Sequence, residues 1–353
     1  MPALPDRSIS LPTVTLPLAH SGIRDERASF ALLFREELAR AGRSSPAEAG
    51  AWLHELHDVA APLPVSHQDL RARFADRAPS TSVLIVPGLF DDCAEAQAVP
   101  FGDGVLRTPE RSRTEAYLQY ADLALLGVRS IALPGRISSG AAGEIVAGEI
   151  RREARRAGLR RIVVVGYSKG VPDTLHALAR LQADRELPGA LVAVVSVAGA
   201  GMGTPIADHV ERLFETVSPA VQPLDCSPSD AQEMSSLTRR ERVAWLSANP
   251  LPEGIRYYSV ITHASASEVS LALRPMHSLL SAFDRRNDGQ LLASDMFLPG
   301  SILLAETRAD HWDVALPRTR HPSPLWRALG SGRDYPREAL FRALVQWVVG
   351  AEP

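Results

Sequence analysis

The pentapeptide Gly-Tyr-Ser-Lys-Gly at residues 166–170 places Ser168 between two glycines, at the point where a β-branched run gives way to a helical pattern. A strand that turns directly into a helix has no space for side chains next to the turn, so glycine is needed on both sides of its centre. A serine hydroxyl exposed at such a turn can attack a carbonyl carbon when a base removes its proton. An ordinary strand-to-helix turn with serine as an N-cap is the alternative. The strand before the motif and the helix after it favour a nucleophilic Ser168.

The base is expected to be a histidine at a comparable strand end, because imidazole most often takes the proton in such chemistry. His311 follows the apolar run SILLAETRA, which is the last predicted strand. His263 is the competing candidate, since it ends the predicted strand YYSVITHA. The remaining histidines lie on predicted helices or in irregular and terminal segments. We prefer His311 as the base and keep His263 as the alternative.

The orienting acid is expected between the serine and the histidine, in the stretch SAFDRRNDGQLLASD. Asp288 lies there in an Asn-Asp-Gly turn, which leaves its carboxylate on a loop. Asp284 ends a helical pattern beside two arginines, Asp295 is a further choice, and Asp310 adjoins the candidate base and is badly placed to meet its ring. The stretch also resembles a calcium loop faintly, but Arg286 occupies a ligand position and would repel a cation. We therefore predict Asp288 as the acid and no metal site.

Two backbone N–H groups are expected to stabilise the negative charge that develops on the attacked oxygen. The first strong strand, SVLIVPGLF, ends in Pro-Gly, and glycine lets the backbone turn the next N–H group into the site. This assigns Leu89, with Lys169 as the residue after the nucleophile. A strand that simply ends in a Pro-Gly turn is the alternative.

The residues beside these groups are expected to contact the substrate: Phe90, Tyr167, Gly201, Met202 and Trp312. The stretch GAGMG at 199–203 also suggests a dinucleotide site. Its third glycine is misplaced for Gly-x-Gly-x-x-Gly, and no acidic residue ends the next strand. We therefore predict that these small residues make room for substrate, and that no cofactor is used.

The candidate residues converge only if the strands that carry them lie in one sheet. From residue 80 onward, short β-branched runs such as TSVLIVPG and RIVVVG alternate with amphipathic patterns such as GEIVAGEIRREARRAG. Near-continuous apolar strands separated by helices are typical of a parallel sheet that is covered on both faces. The sequence therefore predicts an α/β fold with its chemistry at the carboxyl ends of the strands.

Two segments depart from this alternation. Residues 1–78 carry polar helical patterns, including SFALLFREELARAG, and are predicted as an N-terminal helical extension of a catalytic domain at 79–353. Residues 204–253 hold helical patterns but no strand, and are predicted as a helical cap over the strand ends, with a surface excursion as the alternative. The apolar residues of this insertion favour a hydrophobic acyl group, although they would also serve to pack the insertion down.

The order Ser168, Asp288, His311, together with GYSKG and PGLF, resembles the α/β-hydrolase superfamily, and within it the esterases and lipases. The resemblance covers about Ser80 to Gly350 and departs from the common pattern in having Pro-Gly rather than His-Gly at the oxyanion strand. It implies the α/β-hydrolase fold and a serine hydrolase that cleaves carboxylic esters through an acyl-enzyme. A thioesterase, amidase or acyltransferase would use the same residues. A non-catalytic binding protein of this fold is a further alternative, against which a complete triad argues.

Composition excludes several other classes of protein. The 353 residues carry a net charge of -3 with both signs interspersed, which argues against nucleic acid as a partner. Two cysteines are too few for a disulfide framework or a cysteine-based metal site. No apolar run suits stable membrane insertion, and the first residues show no secretory signal. We therefore predict a cytoplasmic protein acting on a small-molecule ester, with secretion after removal of a leader as the alternative. The sequence does not indicate an oligomeric state.

Overall fold

The computed structural model describes residues 24–43, 51–54, 66–89, 99–102, 116–209, 229–230, 232–320 and 323–351. Its centre is a seven-stranded sheet in which every neighbouring pair runs parallel, in the order β1-β7-β6-β5-β4-β2-β3. The strands are β1 (Arg24–Asp25), β2 (Thr81–Val86), β3 (Gly127–Ser130), β4 (Arg161–Tyr167), β5 (Leu191–Val197), β6 (Arg256–Thr262) and β7 (Ile302–Thr307). The predicted parallel α/β sheet is confirmed.

Helices cover both faces of this sheet. They are α1 (Arg27–Arg40), α2 (His67–Arg77), α3 (Ser139–Ala154), α4 (Gly170–Ala183), α5 (Arg239–Ala248), α6 (Arg274–Leu280), α7 (Pro324–Ala328) and α8 (Arg337–Gly350). One core layer lies between the sheet and α1, α2 and α8, and the other lies between the sheet and α3 and α4. This double burial explains why all six residues of β2 are buried and why its sequence does not alternate.

The first described residues belong to the same sheet and core. Strand β1 pairs with β7, and α1 packs against α8 through Phe30 and Trp347, whose ring centroids are 6.4 Å apart in an edge-on arrangement. The amide of Gln346 in α8 donates to the Glu37 carboxylate of α1 at 2.9 Å. The division of the chain at residue 78 stays a prediction, since much of 1–78 lies outside the described residues.

The insertion at 204–253 is described only at 204–209, 229–230 and 232–253. This described part contains α5 and no strand, as predicted. Asp230 joins it to the body of the protein by accepting the Ser138 N–H at 2.6 Å, at the start of α3. The role of the insertion as a cap stays a prediction.

The strand order decides where the functional groups meet. In a parallel sheet all carboxyl ends lie at one edge, so the turns after β2, β4, β6 and β7 all emerge at that edge. Among the helices that the structure describes, none is both long and apolar enough to cross a membrane.

Candidate active site

The turn after β4 holds Ser168 in the left-handed region, with φ at 55°, directly before α4. This conformation is strained for a residue with a side chain, and it projects the hydroxyl away from the sheet. A Cβ atom on Gly170 would lie 2.1 Å from the carbonyl oxygen of Val86, and one on Gly88 would lie 3.0 Å from the Cβ of Ser168. The close approach of β2 and β4 therefore requires glycine here, as the sequence predicts.

The structure brings together the three residues predicted as nucleophile, base and acid. His311 Nε2 lies 2.8 Å from the Ser168 hydroxyl oxygen, and His311 Nδ1 lies 2.7 Å from Asp288 Oδ2. The side chains of His311 and Asp288 are 2% and 0% exposed. A hydrogen-bonded chain thus runs from a buried carboxylate through an imidazole to a half-buried hydroxyl, which is the order that proton transfer from serine requires.

The Asp288 carboxylate is surrounded by donors. Oδ1 accepts the backbone N–H groups of Gln290 and Leu291 at 2.9 and 2.7 Å, as an Asn-Asp-Gly turn favours. Oδ2 accepts the Thr262 hydroxyl at 2.8 Å as well as the imidazole. Both oxygens therefore have protein donors and need no water. A buried carboxylate requires such partners.

Two neighbours fix the backbone that carries the imidazole. The backbone N–H of His311 donates to the backbone carbonyl of Asp288 at 2.9 Å, and the Tyr167 hydroxyl donates to the backbone carbonyl of His311 at 2.6 Å. The Tyr167 and His311 rings lie 5.3 Å apart between centroids. Burial, followed by the nearby Asp288 charge, raises the pKa of Tyr167 well above its usual value, so this hydroxyl keeps its proton and remains a donor.

These supporting contacts of Thr262 and Tyr167 were missed by sequence reasoning. Tyr167 was expected beside the substrate, whereas its side chain is 4% exposed and packs in the core. For Thr262 the sequence indicates only its position, at the end of the strand that precedes the loop of the acid.

The competing histidine is placed elsewhere. His263 follows β6, and its Nε2 lies 2.6 Å from Glu306 Oε1, while its ring stacks on His54 with centroids 3.6 Å apart. Glu306 also pairs with Arg27 at 3.0 Å and with Arg286. These contacts hold His263 in a separate cluster of ion pairs.

The competing acids are also engaged elsewhere. Asp284 accepts the N–H of Arg286 at 2.8 Å. Asp295 faces Arg239 at 3.3 Å, and burial raises its pKa to about 6. Asp310 caps a turn by accepting the N–H groups of Ser270, Trp312 and Asp313 at 2.6, 2.9 and 2.8 Å.

The two residues predicted to supply oxyanion donors lie next to the serine. Leu89 is half-buried and follows Gly88, whose backbone closely approaches Ser168. The Lys169 side chain turns into a buried ion pair with Asp173, with Nζ 2.8 Å from both oxygens. Neither backbone N–H has an acceptor among the residues that the structure describes.

The other predicted substrate contacts have different surroundings. Gly201 is buried, and its carbonyl accepts from Arg242 Nε at 3.2 Å. Met202 and Trp312 are half-buried, and the Arg318 guanidinium lies 3.8 Å from the centre of a Trp312 ring. Phe90 lies outside the described residues, as do most apolar residues of the insertion.

The described part of the chain contains no group of three histidine, cysteine or acidic side chains placed to hold a metal ion. Asp284 and Asp295, at the two ends of the faint calcium-loop pattern, bind different partners: the N–H of Arg286 and the guanidinium of Arg239.

Comparisons with known proteins give structural neighbours. No family model and no curated protein sequence matches the chain. The crystal structure of the metagenomic carboxyl esterase MGS0156 superposes with a TM-score of 0.77 at 28% identity, covering 97% of each chain. The mature Bacillus licheniformis lipase BlEst2 superposes with a TM-score of 0.50 at 17% identity, covering 75% of this chain and 91% of that one.

The Staphylococcus hyicus lipase gives a TM-score of 0.50 at 10% identity, covering 77% of this chain and 95% of that one. Both lipases share only the fold at these identities, whereas the similarity to the esterase extends over nearly the whole of both chains. The chain therefore has the α/β-hydrolase fold and is esterase- and lipase-like in structure.

Proposed function

We propose that this protein is a serine hydrolase that cleaves carboxylic esters through an acyl-enzyme. The observation that carries the proposal is the chain of short contacts from Asp288 through His311 to Ser168, at the end of a strand-to-helix turn. The whole-chain similarity to a carboxyl esterase supports the same reaction class. A binding protein of this fold would not need these three groups in this order.

The reaction begins when Ser168 Oγ attacks the acyl carbon and His311 Nε2 takes the hydroxyl proton. Asp288 stabilises the imidazolium that forms and keeps its Nδ1–H directed at the carboxylate. When the tetrahedral intermediate collapses, the imidazolium gives its proton to the departing alkoxide, and the alcohol leaves. Water then repeats the sequence on the acyl-enzyme and releases the carboxylic acid.

The N–H groups of Leu89 and Lys169 bind the oxyanion in this proposal. Their position next to Ser168 supports it, as does the lack of a competing acceptor in the described part of the protein. Donors fixed before the reaction favour the charged intermediate over the uncharged ester, because they need no reorganisation. The buried ion pair of Lys169 with Asp173 contributes by fixing the residue that carries the second of these donors.

The acyl group is proposed to be hydrophobic. Met202 and Trp312 offer half-buried apolar surface next to the turns that carry the triad, and Phe90 is expected to add to it. Met234 and Leu237, in the described part of the insertion, are buried in the main core cluster, which also supports a packing role for them. The residues closer to Ser168 are therefore the proposed contacts of the acyl group.

The test is hydrolysis of a p-nitrophenyl ester series beside acyl thioesters of equal chain length. We expect turnover of short and medium esters, with a loss of about 10⁴-fold or more in kcat for Ser168→Ala. Ser247→Ala, which removes an exposed hydroxyl on α5, is the matched control and should retain full activity. Undiminished turnover by Ser168→Ala would reject the mechanism, and a preference for thioesters would change the substrate class.

A further inference from the structure

A polar cavity of about 530 Å³ opens at the carboxyl ends of β6 and β7, and none of the three candidate triad residues lines it. Its wall contains the imidazoles of His54, His263 and His277 and the guanidiniums of Arg285 and Arg308. Among the described residues of this wall, the apolar side chains are those of two alanines. A space of this size suits a small molecule, and a wall of this composition suits a polar one.

Two of the three imidazoles donate through Nε2 to a backbone carbonyl, and the third faces a carboxylate. Nε2 of His54 lies 3.0 Å from the His263 carbonyl oxygen, Nε2 of His277 lies 3.0 Å from the Ala264 carbonyl oxygen, and Nε2 of His263 faces Glu306 at 2.6 Å. A neutral imidazole that donates through Nε2 has a bare acceptor at Nδ1. None of these Nδ1 atoms has a partner in the described ranges.

His54 remains neutral at pH 7, because burial and the stacked His263 lower its pKa to about 4. His277 is 5% exposed and lines the wall of the cavity. Acceptors of this kind are satisfied by the hydroxyl or amine hydrogens of a ligand.

The cavity also carries an uncompensated positive charge. Arg308 pairs with Glu268 at 2.9 Å, and Glu268 further accepts the N–H and hydroxyl of Ser265 at 3.1 and 2.8 Å. Arg285 has no ion-pair or hydrogen-bond partner for its guanidinium within the described residues. One guanidinium is therefore free to pair with an anionic group.

The charges in the wall also select the kind of anion. Glu268 lies in the same wall, and its negative charge opposes a dianion more strongly than a monoanion. We infer that the cavity binds a small hydroxylated carboxylic acid, whose carboxylate pairs with Arg285 and whose hydroxyls donate to Nδ1 of His54 and His277. This site is separate from the proposed ester hydrolysis and does not depend on it.

Calorimetric titration with gluconate tests this site. We expect saturable binding with a Kd of about 1 mM or tighter. Sorbitol, which replaces the carboxylate of gluconate by a hydroxymethyl group, should bind about tenfold more weakly or not at all. Inorganic phosphate should also bind more weakly, because it carries more charge and no hydroxylated chain.

Arg285→Gln is the informative variant, since the side chain is exposed and its loss leaves the core intact. It should weaken gluconate about tenfold, whereas Arg240→Gln, an exposed arginine outside the cavity wall, should bind as the unaltered protein does. His311→Ala should also bind gluconate normally, which separates this site from the triad.

Four results with these ligands and with Arg285→Gln would overturn the inference. They are no saturable binding of gluconate, equal binding of sorbitol, tighter binding of phosphate, and unchanged affinity in Arg285→Gln. Loss of binding in His311→Ala would assign the gluconate to the triad instead and would equally reject a separate site.

Discussion

Two histidines follow neighbouring strands of the sheet, and each meets a carboxylate carried by the other strand or its loop. His263 follows β6 and pairs with Glu306 of β7 at 2.6 Å, while His311 follows β7 and pairs with Asp288 after β6 at 2.7 Å. The distances are nearly equal, so distance does not distinguish the two pairs. What differs is which ring nitrogen is used and what else the carboxylate touches.

His311 gives Nδ1 to its carboxylate and directs Nε2 at a serine, whereas His263 gives Nε2 to its carboxylate. Glu306 also pairs with Arg27 and Arg286, so its charge is shared among three partners. Asp288, in the described structure, meets no cation apart from the imidazole. A carboxylate acts on an imidazolium most strongly when no other cation neutralises it. A histidine–carboxylate pair is therefore not sufficient to identify a base.

The largest expected effect is a loss of activity on removing the His311 imidazole that removing the His263 imidazole does not cause. His311→Ala should lower kcat for ester hydrolysis by about 10⁴-fold, because the serine loses its proton acceptor. His263→Ala is the matched variant at the neighbouring strand and should change kcat by less than about threefold. Steady-state rates with a p-nitrophenyl ester measure both. Equal losses in the two variants would mean that the geometry around Ser168 does not identify the base.

A smaller effect is expected from the hydroxyl that supports the acid. Thr262→Val keeps the shape of the side chain but removes the 2.8 Å hydrogen bond to Asp288, so kcat should fall about tenfold with KM unchanged. Thr307→Val is the control, since that hydroxyl at the end of β7 donates to the Ile261 carbonyl of β6 and not to Asp288. A change in KM alone, or an equal loss in Thr307→Val, would contradict a positioning role for Thr262.

The third effect concerns stability rather than rate, at the His263 pair. The hydrogen bond from His263 and the charge of Arg286 lower the pKa of Glu306 from 4.5 to about 2 despite its burial. A carboxyl whose pKa falls on folding stabilises the protein above its unfolded pKa, and this contribution is lost as pH falls from 4.5 toward 2. Glu306→Gln should therefore reduce the free energy of unfolding by about 2 kcal/mol at pH 7 and by less near pH 3.

Urea unfolding at the two pH values measures this difference. Arg24, which pairs with Glu26 at the exposed start of the same sheet, supplies a control, and Arg24→Gln should change stability little at either pH. A Glu306→Gln effect that is independent of pH would contradict the assigned ionisation, because the loss would then come from packing alone.

The parallel sheet and the order of the functional residues could be predicted from local sequence. Two glycines beside Ser168 indicate its turn, His311 follows the last apolar run, and Asp288 lies in a turn sequence. Each signal is contained within a few neighbouring residues. The backbone strain at Ser168 also follows from the required tightness of the turn.

The supporting contacts could not be predicted in the same way. Tyr167 and His311 are 144 residues apart in sequence, and Thr262 and Asp288 are 26 apart, so neither contact has a local pattern. The placement of His263 in a separate cluster depends on Arg27, far away at the first helix. Such contacts follow from strand order and register, which local periodicity does not determine.

The most direct test of the central claim is labelling by a fluorophosphonate, with the modified residue located by mass spectrometry. We expect a single label on the peptide that contains Ser168, no label in Ser168→Ala, and labelling slowed by about 10³-fold or more in His311→Ala but not in His263→Ala. A label on another serine, or full labelling of His311→Ala, would contradict the assignment of Ser168 and His311 as nucleophile and base.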